Sequence, residues 1–131
     1  MKPKPPQLHE YELADDWTVL VGRTDQDNDR LSIRIAKPKD WWFHVRGHPG
    51  SHVVLRTEGR EPAKAVLEQA ASIAAWHSRL REGGMVSVSA TRAQFVTKPR
   101  GAKPGTVQIR KEQVLKVRPS IEHATKVSGP D

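Results

Sequence analysis

Histidine, arginine and aromatic side chains crowd one short run, Asp40-Trp-Trp-Phe-His-Val-Arg-Gly-His-Pro-Gly-Ser-His-Val-Val-Leu-Arg56. His44, His48 and His52 recur every fourth residue, which on a helix would align metal ligands on one face. Gly47, Pro49, Gly50 and the β-branched Val53 and Val54 argue against a helix. Asp40 is the only carboxylate in the run and cysteine is absent from the chain, so no metal site is assigned. Ser51, His52 and Asp40 are the residue types of a hydrolytic triad, but a triad is recognised by geometry and no nucleophile-elbow pattern is present. No catalytic residue is assigned. Binding is the remaining chemistry. In an extended strand Trp41 and Trp42 point to opposite faces, and an outward tryptophan beside Arg46 and the histidines offers a stacking surface for a base. The sequence leaves open which tryptophan that is.

A second constellation, Lys98-Pro-Arg-Gly-Ala-Lys-Pro-Gly105, is neither a Walker loop nor a dinucleotide fingerprint. Lys98, Arg100 and Lys103 on a semi-rigid loop with free amides read as a phosphate clamp, with Arg92 upstream and Arg110 and Lys111 downstream. The net charge of +7 is uneven. Residues 1–29 carry seven acids and three bases, whereas residues 92–118 carry eight bases and one acid, Glu112. A basic C-terminal third is the footprint of a polyanion-binding surface, or else a solvated basic face. Asp25-Gln-Asp-Asn-Asp29 opens like a calcium loop, but Arg30 and Ala36 stand where glycine and glutamate are required. It reads better as an acidic turn that pairs with the basic loop.

The elements that must position these groups follow from pattern. Trp17–Gly22 reads as a strand, Thr24–Arg30 as a turn, and the alternating Leu31–Ala36 as a half-buried strand. Strands at 41–46 and 52–56 flank a Pro49-Gly50 turn, with Gly50 taking the positive φ of a type II turn. Residues 62–81 read as one helix, opened by Pro62, rich in alanine and ended by Gly83-Gly84. His77 on its apolar stripe reads as a hydrogen-bonded core histidine. Strands at 86–90 and 94–97 follow, then a hairpin of 106–110 with 114–117. The expected class is α+β, a single domain with a mostly antiparallel sheet and one principal helix packed on it. Residues 15–119 form that domain, with flexible tails at 1–14 and 120–131.

At 131 residues one core is expected, and the hydrophobic share of 36 % suffices because the apolar residues fall in periodic runs. The lack of cysteine excludes a disulfide framework, cysteine-ligated metal and thiol catalysis. No apolar run reaches the roughly 20 residues of a membrane span, and the N-terminus lacks the apolar core of a secretory signal, so a cytoplasmic protein with no membrane partner is expected.

Several motifs together resemble the NFACT-R domain. They are Gly22-Arg23, Asn28-Asp29, Asp40-Trp41-Trp42-Phe43-His44-Val45-Arg46, Pro49-Gly50-Ser51-His52-Val53, the alanine-rich helix with Ser78, and Lys98–Val107. The likeness covers roughly residues 15–118. It implies an RNA-binding module. In the large NFACT proteins of ribosome-associated quality control, that module belongs to a machine that binds the obstructed large ribosomal subunit and tRNA. A chain of this length leaves no room for that machine's N-terminal module and coiled coil. It is similar to small stand-alone bacterial members, for which a role beside tRNA modification is expected. Where the family shows a Val-Asp-Tyr-Thr-like strand, this chain has Val88-Ser-Ala-Thr91 and lacks the acidic and aromatic side chains.

The expected function is therefore non-catalytic recognition of structured RNA, tRNA or ribosomal RNA, with no cofactor. Its partners would be that RNA and the ribosome or a tRNA-modifying enzyme. The expected RNA-binding residues are Trp42, His44, Arg46, His48, Ser51, His52, Arg92, Lys98, Arg100 and Lys103. The alternative is a protein–protein adaptor that uses the aromatic hairpin.

Overall fold

The computed structural model describes residues 7–129. Its centre is a seven-stranded antiparallel sheet in the order β8-β5-β3-β4-β2-β1-β9. The strands are β1 (Leu8–Leu13), β2 (Trp17–Gly22), β3 (Trp41–Val45), β4 (Val53–Leu55), β5 (Val86–Arg92), β8 (Gln113–Val117) and β9 (Thr125–Ser128). β6 (Val96–Thr97) and β7 (Gln108–Ile109) form a separate two-stranded ribbon. The fold is α+β, as the patterning predicts.

One sheet face packs on α2 (Lys64–Trp76), whose Ala70, Ala71, Ala74 and Ala75 let the helix approach Val19, Phe43, Val53 and Val88 closely. α2 stops short of the predicted Gly83-Gly84 signal. Ser78 Oγ donates to the Ala75 carbonyl, and Ser78 makes a β-bridge to Gly50 of the β3–β4 loop. The other face is covered by α1 (Asp25–Asp29), a π-type helical segment (Arg30–Ile35) and the β6–β7 ribbon, which enclose Leu20, Leu31, Trp42, Val54 and Val96. Among the described residues, no helix is long and apolar enough to cross a membrane.

Four expectations are corrected. The alternation over Leu31–Ala36 predicts a strand, but the chain is helical there. Thr24 and Asp27 form a reciprocal capping box that nucleates α1, and the helix runs on into the next turn. Leu31 and Ser32 are buried in this arrangement, whereas Ile33 stays exposed. The hairpin of 106–110 with 114–117 does not form, because β7 pairs with β6 and β8 pairs with β5. The positive φ of the β3–β4 loop falls on Gly47 (+71°) and not on Gly50. Gly50 is needed for proximity: a Cβ there would lie 3.0 Å from that of Ser78. Finally, β1 and β9 lie in stretches read as flexible tails. Tyr11 and Leu13 of β1 alternate into the core, and β9 adds to its edge. Residues 1–6 and 130–131 of those tails lie outside the described residues.

Candidate nucleic-acid interface

β3 and β4 pair antiparallel, with Phe43 opposite Val53, and this brings His44 and His52 together. Their rings lie 5.4 Å apart edge to face, and each also contacts Trp42, at 6.0 Å (His44, stacked) and 5.2 Å (His52, edge-on). Trp42, His44 and His52 line a cleft of about 300 Å³ with Arg46. Its opposite wall is Gly105, Thr106, Val107, Ile109 and Glu112. The aromatic hairpin and the segment after the basic loop are thus two walls of one cleft.

A buried hydrogen-bond relay ties its floor together. Trp42 Nε1–H donates to Ser32 Oγ (2.8 Å), and Ser32 Oγ lies 2.7 Å from His52 Nδ1. One serine hydroxyl thus serves both rings. The His52 pKa is lowered to about 4, by burial first and by the neighbouring His44 second, against Asp29 and backbone groups of Gly105 and Asn28, which act in the other direction. His44 is also lowered by burial, against backbone hydrogen bonding at Gly50 and Val45. At neutral pH the cleft floor is an uncharged aromatic surface with polar edges.

The acidic turn holds the basic loop in place. Asp29 forms an ion pair with Lys98 (3.1 Å) and accepts from the Gly105 amide (2.9 Å). Gly105 has a φ of +85°, and a Cβ there would lie 2.9 Å from Asp25 Oδ1, so position and conformation both call for glycine. Lys98 Nζ also donates to the carbonyls of Lys103 and Thr106, the latter at 2.9 Å. Its charge closes the loop from inside, leaving Arg100 and Lys103 exposed.

The predicted set divides. Trp42, His44, Arg46 and His52 converge, but Trp42 is only 3 % exposed and Trp41 only 6 %. Neither tryptophan offers an open stacking face, because both sides of the sheet are covered. The adaptor reading loses the exposed tryptophan it relies on. His48 is exposed at the loop tip, and Ser51 faces a different cleft on the far side of the loop. Arg92 lies at the other end of β5, over the Trp41 ring and paired with Glu61. Asp40, Ser51 and His52 do not converge: the Asp40 carboxylate accepts from the Thr57 and Lys37 amides. Among the described residues, no group of three or more metal-ligating side chains is assembled.

Ser32, Ser89 and Glu112 are additions. Ser89 Oγ donates to Glu112, which also lies 3.5 Å from Arg46 Nε, so a carboxylate reaches this strand from the neighbouring loop. The only signal for Glu112 was its isolation in a basic run. Arg110 and Lys111 both lie over the half-buried Phe95 ring, at 5.6 and 5.1 Å.

Residues 7–111 match the model of the NFACT protein RNA binding domain. The chain belongs to this family. It is 37 % identical over 126 residues to the Rqc2 homolog RqcH of Bacillus subtilis, and 39 % identical over 116 residues to that of Streptococcus suis. These alignments cover 96 % and 87 % of this chain but only 22 % and 21 % of the relatives, so the chain spans about a fifth of their length. Among solved structures, it is similar to the C-terminal part of the fibronectin/fibrinogen-binding protein of Streptococcus suis. The TM-score is 0.83 at 36 % identity, over 90 % of this chain and 47 % of that one.

Proposed function

We propose that this NFACT-R domain binds structured RNA, tRNA or ribosomal RNA, along the cleft between the β3–β4 hairpin and residues 105–112, without catalysing a reaction. Its setting is ribosome-associated quality control, which the family resemblance implies and its Rqc2-homolog relatives support. The observation that carries the reading is the coincidence of the two lines of evidence: the stretch that matches an RNA-binding family also supplies nearly all of both cleft walls. His44 presents a neutral ring edge to sugar or base, with His52 buried behind it, while Arg46, Arg100 and Lys103 meet phosphate. Arginine forks suit phosphate geometry, and exposed lysine adds charge.

Binding of tRNA, ribosomal RNA fragments and duplex DNA, measured at two salt concentrations, tests this. With around five phosphate contacts, affinity for RNA falls on the order of a hundredfold for a fourfold rise in salt. The Arg46/Arg100/Lys103 triple-alanine variant loses about two to three units of that salt slope. Equal affinity for duplex DNA and RNA, or a slope unchanged in the variant, would overturn the reading.

A further inference from the structure

The β3–β4 loop has a second side. There Ser51 and Gly50 meet the end of α2, and a larger, open cleft of about 580 Å³ is lined by Arg23, Arg79 and Arg81 together with His9 and His77. It runs into a neighbouring cavity of about 520 Å³ that shares His9, His77 and Arg81 and adds Trp76 and Lys126. None of the residues assigned to RNA in the first cleft lines this trough.

Its three arginines differ from the four cations that have an internal counter-ion. Arg46, Arg56, Arg92 and Lys98 each sit beside a carboxylate of the same chain. Among the described residues, Arg23, Arg79 and Arg81 form no ion pair with a carboxylate. Arg23 donates to the neutral Gln7 amide (2.6 Å). Arg81 lies over the Trp76 ring at 4.4 Å, with its Nε on the Trp76 carbonyl (2.6 Å), an arrangement that fixes the guanidinium plane. One carboxylate, Asp25, lines the trough against these three guanidiniums.

The field is visible in the two histidines. His9 and His77 stack at 4.7 Å, and His77 Nε2 lies 2.7 Å from the Tyr11 hydroxyl. Burial lowers the pKa of both, and neighbouring groups lower it further: Lys126 and Arg23 for His9, and His9, Arg81 and Lys126 for His77. An uncompensated cationic concavity with a fixed arginine fork matches a phosphate group.

We propose that this trough is a second phosphate-binding site, held by Arg23, Arg79 and Arg81, so that the β3–β4 loop stands as a wedge between two phosphate tracks. The phosphate is that of an RNA backbone or the terminal phosphate of a small nucleotide. For the RNA source, the inference rests on the reading above.

Three titrations of the ¹⁵N-labelled full chain test it, with inorganic pyrophosphate, with a short oligoribonucleotide lacking terminal phosphates, and with the same oligoribonucleotide carrying a 5′-phosphate. Pyrophosphate is expected to shift the Ser51, Ser78 and Arg79 amides, and to raise the His9 and His77 pKa values. If the backbone is the source, the oligoribonucleotide shifts the same amides. If a terminal phosphate is the source, only its 5′-phosphorylated form does. Arg79→Ala, which removes no internal partner, weakens pyrophosphate binding at least threefold, and Arg23→Ala/Arg79→Ala/Arg81→Ala abolishes the shifts while the rest of the spectrum stays folded. If RNA shifts only the first cleft and pyrophosphate shifts nothing, the RNA reading stands and the trough proposal falls. If pyrophosphate shifts the trough but no RNA binds, the trough stands and the RNA reading falls. Silence of the trough toward every probe overturns the proposal.

Discussion

Replacing Ser32 with alanine removes one hydroxyl that serves two buried partners. The Trp42 indole loses its acceptor and His52 Nδ1 loses its hydrogen-bond partner. All three residues are buried, Ser32 at 3 %, Trp42 at 3 % and His52 at 3 % exposure, so bulk water is not at hand to replace the hydroxyl. Each orphaned group costs about 1–3 kcal/mol, and the pair about 2–6 kcal/mol. Domains have only about 5–15 kcal/mol in total, so the effect is large for a change of one oxygen atom. Urea denaturation followed by tryptophan fluorescence and circular dichroism measures it. With an m-value of about 2 kcal/mol/M, the midpoint falls by about 1–3 M while m itself holds. A cycle with Trp42→Phe isolates the relay. Once the indole donor is gone, Ser32→Ala orphans only His52, so the two costs fall short of additivity by about 1–2 kcal/mol. A loss below about 0.5 kcal/mol for Ser32→Ala, or strict additivity in the cycle, would refute the relay.

Three further outcomes follow from the same geometry. His52 is neutral in the folded protein down to about pH 4 but takes up a proton near pH 6.5 when unfolded. Its contribution is therefore present above pH 6.5 and is lost as pH falls toward 4, at about 1.4 kcal/mol per pH unit. His77, also lowered to about 4, adds to the loss in the same window. Urea midpoints at pH 7, 6 and 5 should fall steadily, and His52→Gln should flatten the trend. At Gly22 an added Cβ would sit 2.1 Å from Asn28 Oδ1, the atom that accepts from the His52 amide at 3.0 Å. Gly22→Ala should cost about 1–3 kcal/mol in thermal or urea unfolding, whereas substitution at the exposed Gly47 with Asn should cost less than about 1 kcal/mol. Lys98→Met should leave global stability within about 1 kcal/mol but speed hydrogen exchange at the Gly105 and Thr106 amides, because Lys98 ties that loop to Asp29 and to its own carbonyls.

What was legible in the sequence depended on how local the cause was. The strands at Trp17–Gly22 and Trp41–Val45, the alanine-rich helix and the pairing of acidic turn with basic loop all follow from short-range pattern or charge. Leu31–Ala36 misleads because alternation over six residues fits a strand as well as a helix whose Ser32 is buried for a partner far along the chain. The deciding signal was upstream, in the Thr24–Asp27 capping box. β9 had no signal: it is a polar edge strand that exists because β1 offers it an unpaired edge. Within the site, the convergence of Trp42, His44, Arg46 and His52 follows from one hairpin and was legible. The burial of both tryptophans was not, since it depends on α1, the π-type segment and the β6–β7 ribbon closing over the second face. Sequence proximity groups Arg92 with the clamp, but its strand carries it to the far end of the sheet.

The central claim, that RNA lies in the cleft between the β3–β4 hairpin and residues 105–112, is tested most directly by titrating the ¹⁵N-labelled chain with unmodified tRNA. The account predicts saturable shifts or broadening at the His44, Arg46, Gly47, Thr106 and Val107 amides, reversed by raising the salt fourfold. Saturable tRNA binding that leaves those amides unperturbed would contradict it.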